Sequence, residues 1–174
     1  YHSRKDYLFL DPVCQRNLEL VDPMFGSSKE NTLLHVLDRA STPMGSRLIR
    51  DWLLKPLRSV ERIVERQDVV GLFKDDPLTL AELRETVGAI RDLERIVARL
   101  NVGTANPRDL LSLANSMEMV PAVRLLLSNS DLPLIERLYR NISELPDLTS
   151  KILSAITDEP PVSVPEGGVI RGGY

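Results

Sequence analysis

The sequence predicts an all-α fold: a multi-helix array with an extended N-terminal lead-in and a Pro/Gly-rich C-terminal connector. Leu, Ile and Val recur at three- and four-residue spacing along most of the chain, while period-two alternation is weak. Prolines repeatedly follow Asp, Asn or Thr, a pattern typical of a helix N-cap followed by the first helical residue. With 174 residues, 43% of them hydrophobic, the chain is long enough to bury a core.

The first quarter of the chain contains the clearest helical pattern. Residues 7–10 form a short apolar run, an edge strand or an extended lead-in, and Asp11-Pro12 then begins a short helix. After a loop, a helix is predicted near 32–39. Thr42-Pro43 begins the next helix, which ends before Pro56 because proline disfavours helical geometry in the preceding residue. One face of this helix is apolar, and Trp52 in the middle of that face is expected to be buried.

The remaining helices follow with short connections. They are predicted near residues 60–73, 76–87, 91–100, 106–117, 121–127, 132–140 and 146–156. The last stretch, TDEPPVSVPEGGVIRGGY, is rich in Pro and Gly and cannot continue the helical pattern. It is therefore interpreted as a connector that leads elsewhere.

Composition excludes several classes of function. The formal net charge of −3 lacks the excess of positive charge with which a domain grips nucleic acid by itself. Cys14 is the single cysteine, which excludes an intrachain disulfide and favours a reducing compartment. Zinc is not expected, since the two histidines, His2 and His35, are far apart in sequence. No membrane span or signal peptide is predicted, and the missing initiator Met suggests a piece excised from a longer cytoplasmic protein.

No pattern of catalytic residues stands out. A phosphate-binding loop of the form GxxxxGK[ST] does not occur, and Gly167-Gly168 and Gly172-Gly173 are isolated pairs in which a flexible linker is favoured over a nucleotide site. Glu61 with Glu65 could in principle do acid–base work, but solvated ion pairs with neighbouring arginines are favoured. Asp38 and Arg39 are better candidates for a polar contact that fixes helix geometry.

Three arginines at four-residue spacing, Arg91, Arg95 and Arg99, leave two interpretations open. They could face DNA phosphates, or they could pair with nearby carboxylates such as Asp92 and Glu94. The structural ion-pair network is favoured. His35, alone on an apolar helix, is interpreted as a structural histidine rather than a ligand.

Five blocks of sequence together resemble the MutS family of DNA mismatch-repair ATPases. They are, in chain order, YLFLDPVCQRNLEL, ENTLLHVLDRASTPMGSRLIRDWLLKPL, VERQDVVGLF, DLERIVARLNVGTANPRDL and AITDEPPVSVPEGGVIRGGY. The resemblance runs in order over essentially the whole chain. It implies that residues 1–28 form the junction with the connector side, 29–165 the first half of the helical core or lever domain, and 166–174 the start of the arm towards the DNA clamp.

The resemblance also implies a function for the parent protein. Family members are dimers that bind mismatched double-stranded DNA, exchange ADP for ATP with Mg in an ATPase domain, and signal to a MutL-type partner. This chain would be their non-catalytic lever, relaying conformational change between clamp and ATPase. We therefore expect no enzymatic activity from the fragment, and we assign no catalytic, cofactor-binding, metal or mismatch-contact residue.

Some family features do not match this chain. None of Phe9, Phe25 and Phe73 is followed by Glu at the second position, so the mismatch-reading Phe-x-Glu is not found. The family's IRDGY is replaced by IRGGY at residues 170–174, and the additional glycine is expected to loosen the connector. One alternative is a stand-alone helical adaptor that binds a protein partner through an apolar groove. Direct DNA binding is a third possibility that the acidic balance disfavours.

Overall fold

The computed structural model describes residues 6–26 and 28–174, so predictions that fall on residues 1–5 and 27, including His2, lie outside the described residues. Within the described ranges, the secondary structure is helical apart from two isolated antiparallel bridges, Tyr7 with Leu57 and Ile156 with Ile170. The all-α prediction is confirmed. The α-helices are α1 (Pro12–Asn17), α2 (Leu33–Leu37), α3 (Pro43–Leu54), α4 (Val60–Asp75), α5 (Pro77–Gly88), α6 (Leu93–Asn101), α7 (Pro107–Met117), α8 (Val120–Leu127), α9 (Pro133–Asn141) and α10 (Pro146–Ala155), with 3₁₀ turns at Lys29–Asn31 and Val164–Glu166.

The chain divides into two compact units, Tyr1–Asp75 and Asp76–Tyr174. In unit 1 the start of α2 is held by backbone hydrogen bonds, in which the N–H groups of Leu33 and Leu34 donate to the carbonyls of Glu19 and Leu20 at 3.0 and 2.9 Å. The buried apolar residues of this unit, among those described, are Leu20 and Val21. Unit 1 therefore has a small core and leaves much apolar surface exposed.

Helices α3 and α4 are the longest helices of unit 1. The hydroxyl of Thr42 caps α3 by accepting a hydrogen bond from the Gly45 N–H at 3.1 Å, as the Thr42-Pro43 pattern predicts. A Cβ atom added at Gly45 would lie 3.0 Å from the Ala40 Cβ, a tight contact that a glycine avoids. Helix α4 runs unbroken through Gly71 and buries none of its residues within the chain.

Unit 2 is built around α7. Ala114 of α7 is completely buried and packs with Ile152 of α10 and Ile156, which follows that helix. Helix α6 also contacts α7, while α5 contacts α8 and α8 contacts α9. Ile135, 1% exposed, anchors α9. Unit 2 therefore has the interior that the Leu, Ile and Val spacing predicts.

Two sequence predictions need correction in unit 2. The helix predicted from residue 91 begins at Leu93, because the Asp92 carboxylate caps it by accepting from the Arg95 N–H at 3.3 Å. Arg91 therefore precedes α6 and does not share a helical face with Arg95 and Arg99. The tail is also more ordered than a flexible linker, since its Val169 carbonyl accepts from the Thr157 N–H at 3.0 Å.

One helical stretch in the described part, Pro107–Leu127, has the length and composition of a membrane span, contrary to the expectation that no apolar run approaches one. It comprises α7 and α8, joined by a short turn. Its Ala114 is buried against α10 and its Asp109 is paired with Arg99. Through these contacts, part of the stretch packs inside unit 2.

Candidate functional site

A groove of about 660 Å³ lies in unit 1 between the N-terminal segment and α3. We call it the apolar groove. It is lined by Tyr7, Leu8, Phe9, Leu10, Gln15, Leu48, Asp51, Trp52, Leu54, Lys55 and Arg66. Apolar side chains dominate this lining, and the charged residues belong to α3, its C-cap and α4.

Backbone hydrogen bonds hold the N-terminal side of the apolar groove in place. The Leu8 N–H donates to the Pro56 carbonyl at 2.8 Å, and the Arg58 N–H donates to the Asp6 carbonyl at 3.1 Å. The Gln15 amide then donates to the Leu10 carbonyl at 2.8 Å. The extended lead-in predicted for residues 7–10 is therefore paired with the chain that follows α3.

Trp52 lines the groove and is not a core residue. It is 42% exposed, so the prediction that its ring is buried is wrong. The Arg66 guanidinium of α4 lies over the ring, 3.6 Å from its centroid, which is a cation–π contact. Burial lowers the pKa of Arg66, with the nearby charge of Arg62 acting in the same direction. The apolar face of α3 therefore meets an arginine and an open groove instead of a packed layer.

Helix α1, whose Gln15 lines the groove, also carries the single cysteine of the chain. The Asp11 side chain accepts hydrogen bonds from the N–H groups of Val13 and Cys14 at 2.8 and 2.9 Å, which caps α1. The interaction with Asp11 raises the pKa of the exposed Cys14 thiol, so the thiol is not an activated nucleophile. In the described part of the chain, no group of three or more His, Cys, Asp and Glu side chains could hold a metal ion.

Unit 2 carries a bidentate ion pair at the start of α7. Arg99 donates from Nε and Nη2 to the two carboxylate oxygens of Asp109 at 3.0 and 2.5 Å. Asp109 also closes a capping box with Asn106. The Arg99 hydrogen bonds lower the pKa of Asp109, and the Asn106 backbone N–H acts in the same direction against desolvation. Arg95 lies 3.5 Å from Asp92, so the predicted ion-pair network includes two of the three arginines.

Sequence reasoning missed a second arginine centre, at Arg124 in α8. Its guanidinium lies 4.1 Å from the centroid of the Tyr139 ring and donates to the backbone carbonyls of Tyr139, at 2.8 Å, and Ile142. The Glu144 carboxylate forms an ion pair with this guanidinium, with its Oε1 atom 2.9 Å from the Arg124 Nε. The Nε–H itself makes no hydrogen bond. These partners lie 15 to 20 positions away in sequence, beyond the reach of helical periodicity.

The tail contains a third arginine contact that the sequence did not reveal. Arg171 donates to both oxygens of Asp158 at 3.3 and 2.5 Å and to the Leu153 carbonyl at 2.9 Å. Its backbone N–H also donates to the Ala155 carbonyl at 2.8 Å. The Arg171 hydrogen bonds lower the pKa of Asp158. This set of contacts, which we call the tail clasp, fastens residues 169–171 to the end of α10.

The other singled-out residues play local roles. Asp38 joins α2 to α3 by accepting from the Ala40 N–H and the Ser46 hydroxyl, both at 3.1 Å, in agreement with its predicted role. Arg39 is exposed and donates to backbone carbonyls at the end of α2. Glu61 accepts from the Ser59 hydroxyl at 2.5 Å, which lowers its pKa. The His35 side chain is exposed on α2.

Comparison with known proteins extends over nearly the whole chain. The family model described as MutS domain III matches residues 14–172. DNA mismatch repair protein MutS of Salinibacter ruber is 38% identical over 99% of this chain and 19% of its own length. The MutS proteins of Methanosarcina barkeri and Solibacter usitatus are 42% and 40% identical over 99% and 100% of this chain, and 20% and 21% of their own lengths.

The chain thus spans about a fifth of the length of these curated relatives. The match begins within α1 and ends one residue after the tail clasp, so it extends over both units. The resemblance inferred from the five sequence blocks is confirmed, and the chain belongs to the MutS family, of which it represents domain III.

Proposed function

We propose that this chain is the first half of the core or lever domain of a mismatch-repair ATPase and relays conformational change between a DNA clamp and an ATPase domain. The observation that carries the proposal is that backbone hydrogen bonds fasten both ends of the described chain, the N-terminal end to the segment after α3 and the C-terminal end to the end of α10. A packed helical unit resists continuous deformation, so a displacement applied to a fastened end moves the unit as a body.

At the N-terminal end, residues 6–8 pair with 56–58 immediately after α3. Pro56 stops α3, and the pairing therefore transfers any movement of the incoming chain directly to the 12-residue helix. Between the described residues, this pairing is short and has two backbone hydrogen bonds. The Phe9 side chain that follows the pairing is 81% exposed.

At the C-terminal end the tail clasp performs the same task. The Ile156–Ile170 bridge and the Arg171–Asp158 pair attach the tail to α10, and α10 packs on α7. Movement of the tail is therefore transmitted to the best-packed helices of unit 2. This arrangement supports residues 166–174 as the start of an arm.

The partners and cofactors belong to the parent protein under this proposal. They are mismatched double-stranded DNA, a second copy in a homodimer, a MutL-type protein, and ATP with Mg in an ATPase domain outside this chain, in a cytoplasmic setting. The relatives are named as DNA mismatch repair proteins, which supports this setting. The lever itself contributes no reacting group.

The relay is tested in the longer protein by loosening the tail clasp. In Arg171→Gln, the affinity for mismatched DNA and the basal rate of ATP hydrolysis should stay within about twofold of wild type, while stimulation of hydrolysis by mismatched DNA should fall about fivefold or more. Arg140→Gln is the matched control, because Arg140 forms an exposed i,i+4 pair with Glu136 in the same unit. Circular dichroism verifies that both variants fold.

The N-terminal fastening provides a second, independent variant. Leu8→Pro removes the N–H that donates to Pro56, while Phe9→Pro places proline in the same segment at a position whose N–H takes no part in this pairing. Stimulation should fall in Leu8→Pro and persist in Phe9→Pro. Full stimulation in both Leu8→Pro and Arg171→Gln would refute the relay.

The apolar groove favours a second candidate function, a helical adaptor that binds a protein partner. Leu8 and Phe9 are 49% and 81% exposed beside the half-open Trp52. An adaptor would be a stable monomer with a saturable partner site. An apolar surface that another part of a longer protein normally covers would instead self-associate weakly. Light scattering over a range of concentrations separates these cases, since steadily rising mass without a plateau counts against the adaptor.

A further inference from the structure

Helices α7 and α8 form one helical stretch that is interrupted at residues 117–121, which we call the α7–α8 joint. Pro121 has no backbone N–H, so the Met117 carbonyl cannot receive from it the hydrogen bond of a continuous helix. The Met119 N–H donates to the Ser116 carbonyl at 3.2 Å, which tightens the last turn of α7. In the described part of the chain, no side chain caps the start of α8. The proline therefore accounts for the interruption.

The joint separates two groups of packed helices within unit 2. Helices α6 and α10 contact α7, whereas α5 and α9 contact α8. Buried residues end at Ser116 on the α7 side and resume at Val123 on the α8 side, and none of residues 117–122 is buried. The buried contacts of unit 2 therefore lie on either side of the joint and not within it.

A pocket of about 290 Å³ lies beside the joint. Met117, Glu118 and Pro121 line it from the joint, and residues 144–146 and 149–150 line it from the start of α10. A close-packed interior resists bending, because neighbouring side chains would have to move with the backbone. The pocket provides space at this point, so the angle between α7 and α8 can change without displacing a packed layer.

One side chain of α8 reaches the segment that leads into α10. The Arg124 guanidinium donates to the carbonyls of Tyr139 and Ile142 at the end of α9, and it forms an ion pair with Glu144, two residues before α10. The side chains of Arg124 and Glu144 are 23% and 43% exposed. Because solvent partly screens a pair of this exposure, the pair can open at a modest cost in free energy.

We propose that the α7–α8 joint is a hinge and that the Arg124–Glu144 pair holds it at the angle seen in the structure. While the pair is formed, the two helix groups move together. When it opens, the α5–α8–α9 group turns about residues 117–121 relative to the α6–α7–α10 group. The inference rests on the proposed relay for its role in the longer protein, where the pair would set whether a displacement of the tail reaches α8.

The test measures the joint in the 174-residue chain, without reference to the relay. Spin labels are attached at Leu125→Cys in α8 and Lys151→Cys in α10, both exposed positions, and Cys14→Ser removes the single native thiol. Double electron–electron resonance should show one main distance and a minor second one in this reference protein. Glu144→Gln should raise the population of the second distance about threefold or more, because it removes the charge of the pair and keeps the side-chain shape.

Glu136→Gln is the matched control. Glu136 forms an ion pair with Arg140 along α9, and its side chain is 46% exposed, close to the value for Glu144. This variant should leave both populations as in the reference protein. Pro121→Ala, added to Glu144→Gln, should reduce the second population about twofold or more, because the restored N–H can donate to the Met117 carbonyl.

Salt provides a measurement that needs no substitution at the pair. Raising the ionic strength from about 0.05 to about 1 M should increase the second population in the reference protein, because salt screens a partly exposed pair. One unchanged distance, both in Glu144→Gln and in high salt, would overturn the hinge. Equal changes in Glu144→Gln and Glu136→Gln would overturn the role of the pair. Loss of the relay is detected separately, by stimulation of hydrolysis in the longer protein.

Discussion

The Trp52 ring is half exposed, and Arg66 stacks on it in a cation–π contact. The guanidinium covers one face of the ring at 3.6 Å, and the other parts border the apolar groove. Since the ring is 42% exposed, its truncation removes less buried surface than truncation of a core tryptophan. The contact links α3 to α4, which buries no residue of its own.

A double-mutant cycle measures this contact. Trp52→Ala should destabilise the chain by about 1 to 2 kcal/mol rather than the larger loss expected for a core ring, and its coupling with Arg66→Gln should be about 0.5 to 1 kcal/mol. Urea unfolding of the wild type, both single variants and the double variant provides the four free energies. Additive single effects would show that the stacked geometry contributes no free energy.

Asp109 of unit 2 accepts hydrogen bonds from the Arg99 side chain and from the Asn106 N–H. Its pKa is lowered chiefly by the Arg99 hydrogen bonds. A lowered folded-state pKa means that the contribution to stability is present above the unfolded value, near pH 4, and is lost as pH falls through the folded value. Asp109 thus stabilises the unit at neutral pH and not in strong acid.

Asp109→Asn should therefore reduce the free energy of unfolding by about 1 kcal/mol at neutral pH, after allowance for screening of the partly exposed Arg99. The difference from wild type should shrink as pH falls from about 5 to about 3. Urea titrations at several pH values measure it. Asp147→Asn, an exposed carboxylate of α10, is the control, and a difference that grew in acid would contradict the sign.

At the scale of elements, α10 illustrates how much of a helix's contribution to stability comes from one face. Ile152 is 9% exposed and packs on Ala114 of α7, whereas Leu148 on the same helix is 44% exposed. Both are branched aliphatic residues of the same size in one helix. They therefore form a matched pair for separating core packing from helix propensity.

Ile152→Ala should lower the stability of unit 2 by about 2 to 4 kcal/mol, because it removes buried methyl and methylene groups and leaves a cavity against α7. Leu148→Ala should change it by about 1 kcal/mol or less. Hydrogen exchange of the α7 and α10 amides measures the effect within the unit. Equal losses of stability in the two variants would mean that α10 does not pack on α7 through Ile152.

Helix starts were predictable from sequence because their determinants are local. The Asp11, Thr42, Asp76 and Asn106 caps each precede a proline, and the structure contains a side-chain cap at all four. Burial was less predictable. The apolar stripe that predicts a buried Trp52 is present, but a stripe shows only that a face is apolar and not which surface covers it.

The contacts of Arg124 and Arg171 were not predictable for a related reason. Their partners include the backbone carbonyls of Tyr139, Ile142 and Leu153, and carbonyls exist at every position and leave no sequence signal. Proline and glycine in the tail correctly predict the end of the helical pattern. They do not reveal that Ile170 pairs with Ile156, since this bridge depends on where α10 ends.

For the whole molecule, the net charge of −3 disfavours binding of DNA by this chain alone. Binding of duplex DNA by this chain should be weak, abolished by moderate salt, and equal for matched and mismatched duplexes, because contacts to phosphates would dominate it. Fluorescence anisotropy at low salt with both duplexes tests this. Tight, mismatch-selective binding would place recognition inside domain III and overturn the lever proposal.

The tail clasp also affects how far the chain extends when it is pulled at its C-terminal end. Tension applied along the chain at Tyr174 would reach the Arg171–Asp158 pair and the Ile170 bridge before it reached α10. Their release would free the loop between Thr157 and Val169, a separation of 12 residues. At full extension this loop adds about 40 Å of contour. A protein with the clasp closed would thus transmit small forces stiffly and yield by a fixed increment when overloaded, a behaviour that single-molecule stretching can resolve as a discrete step.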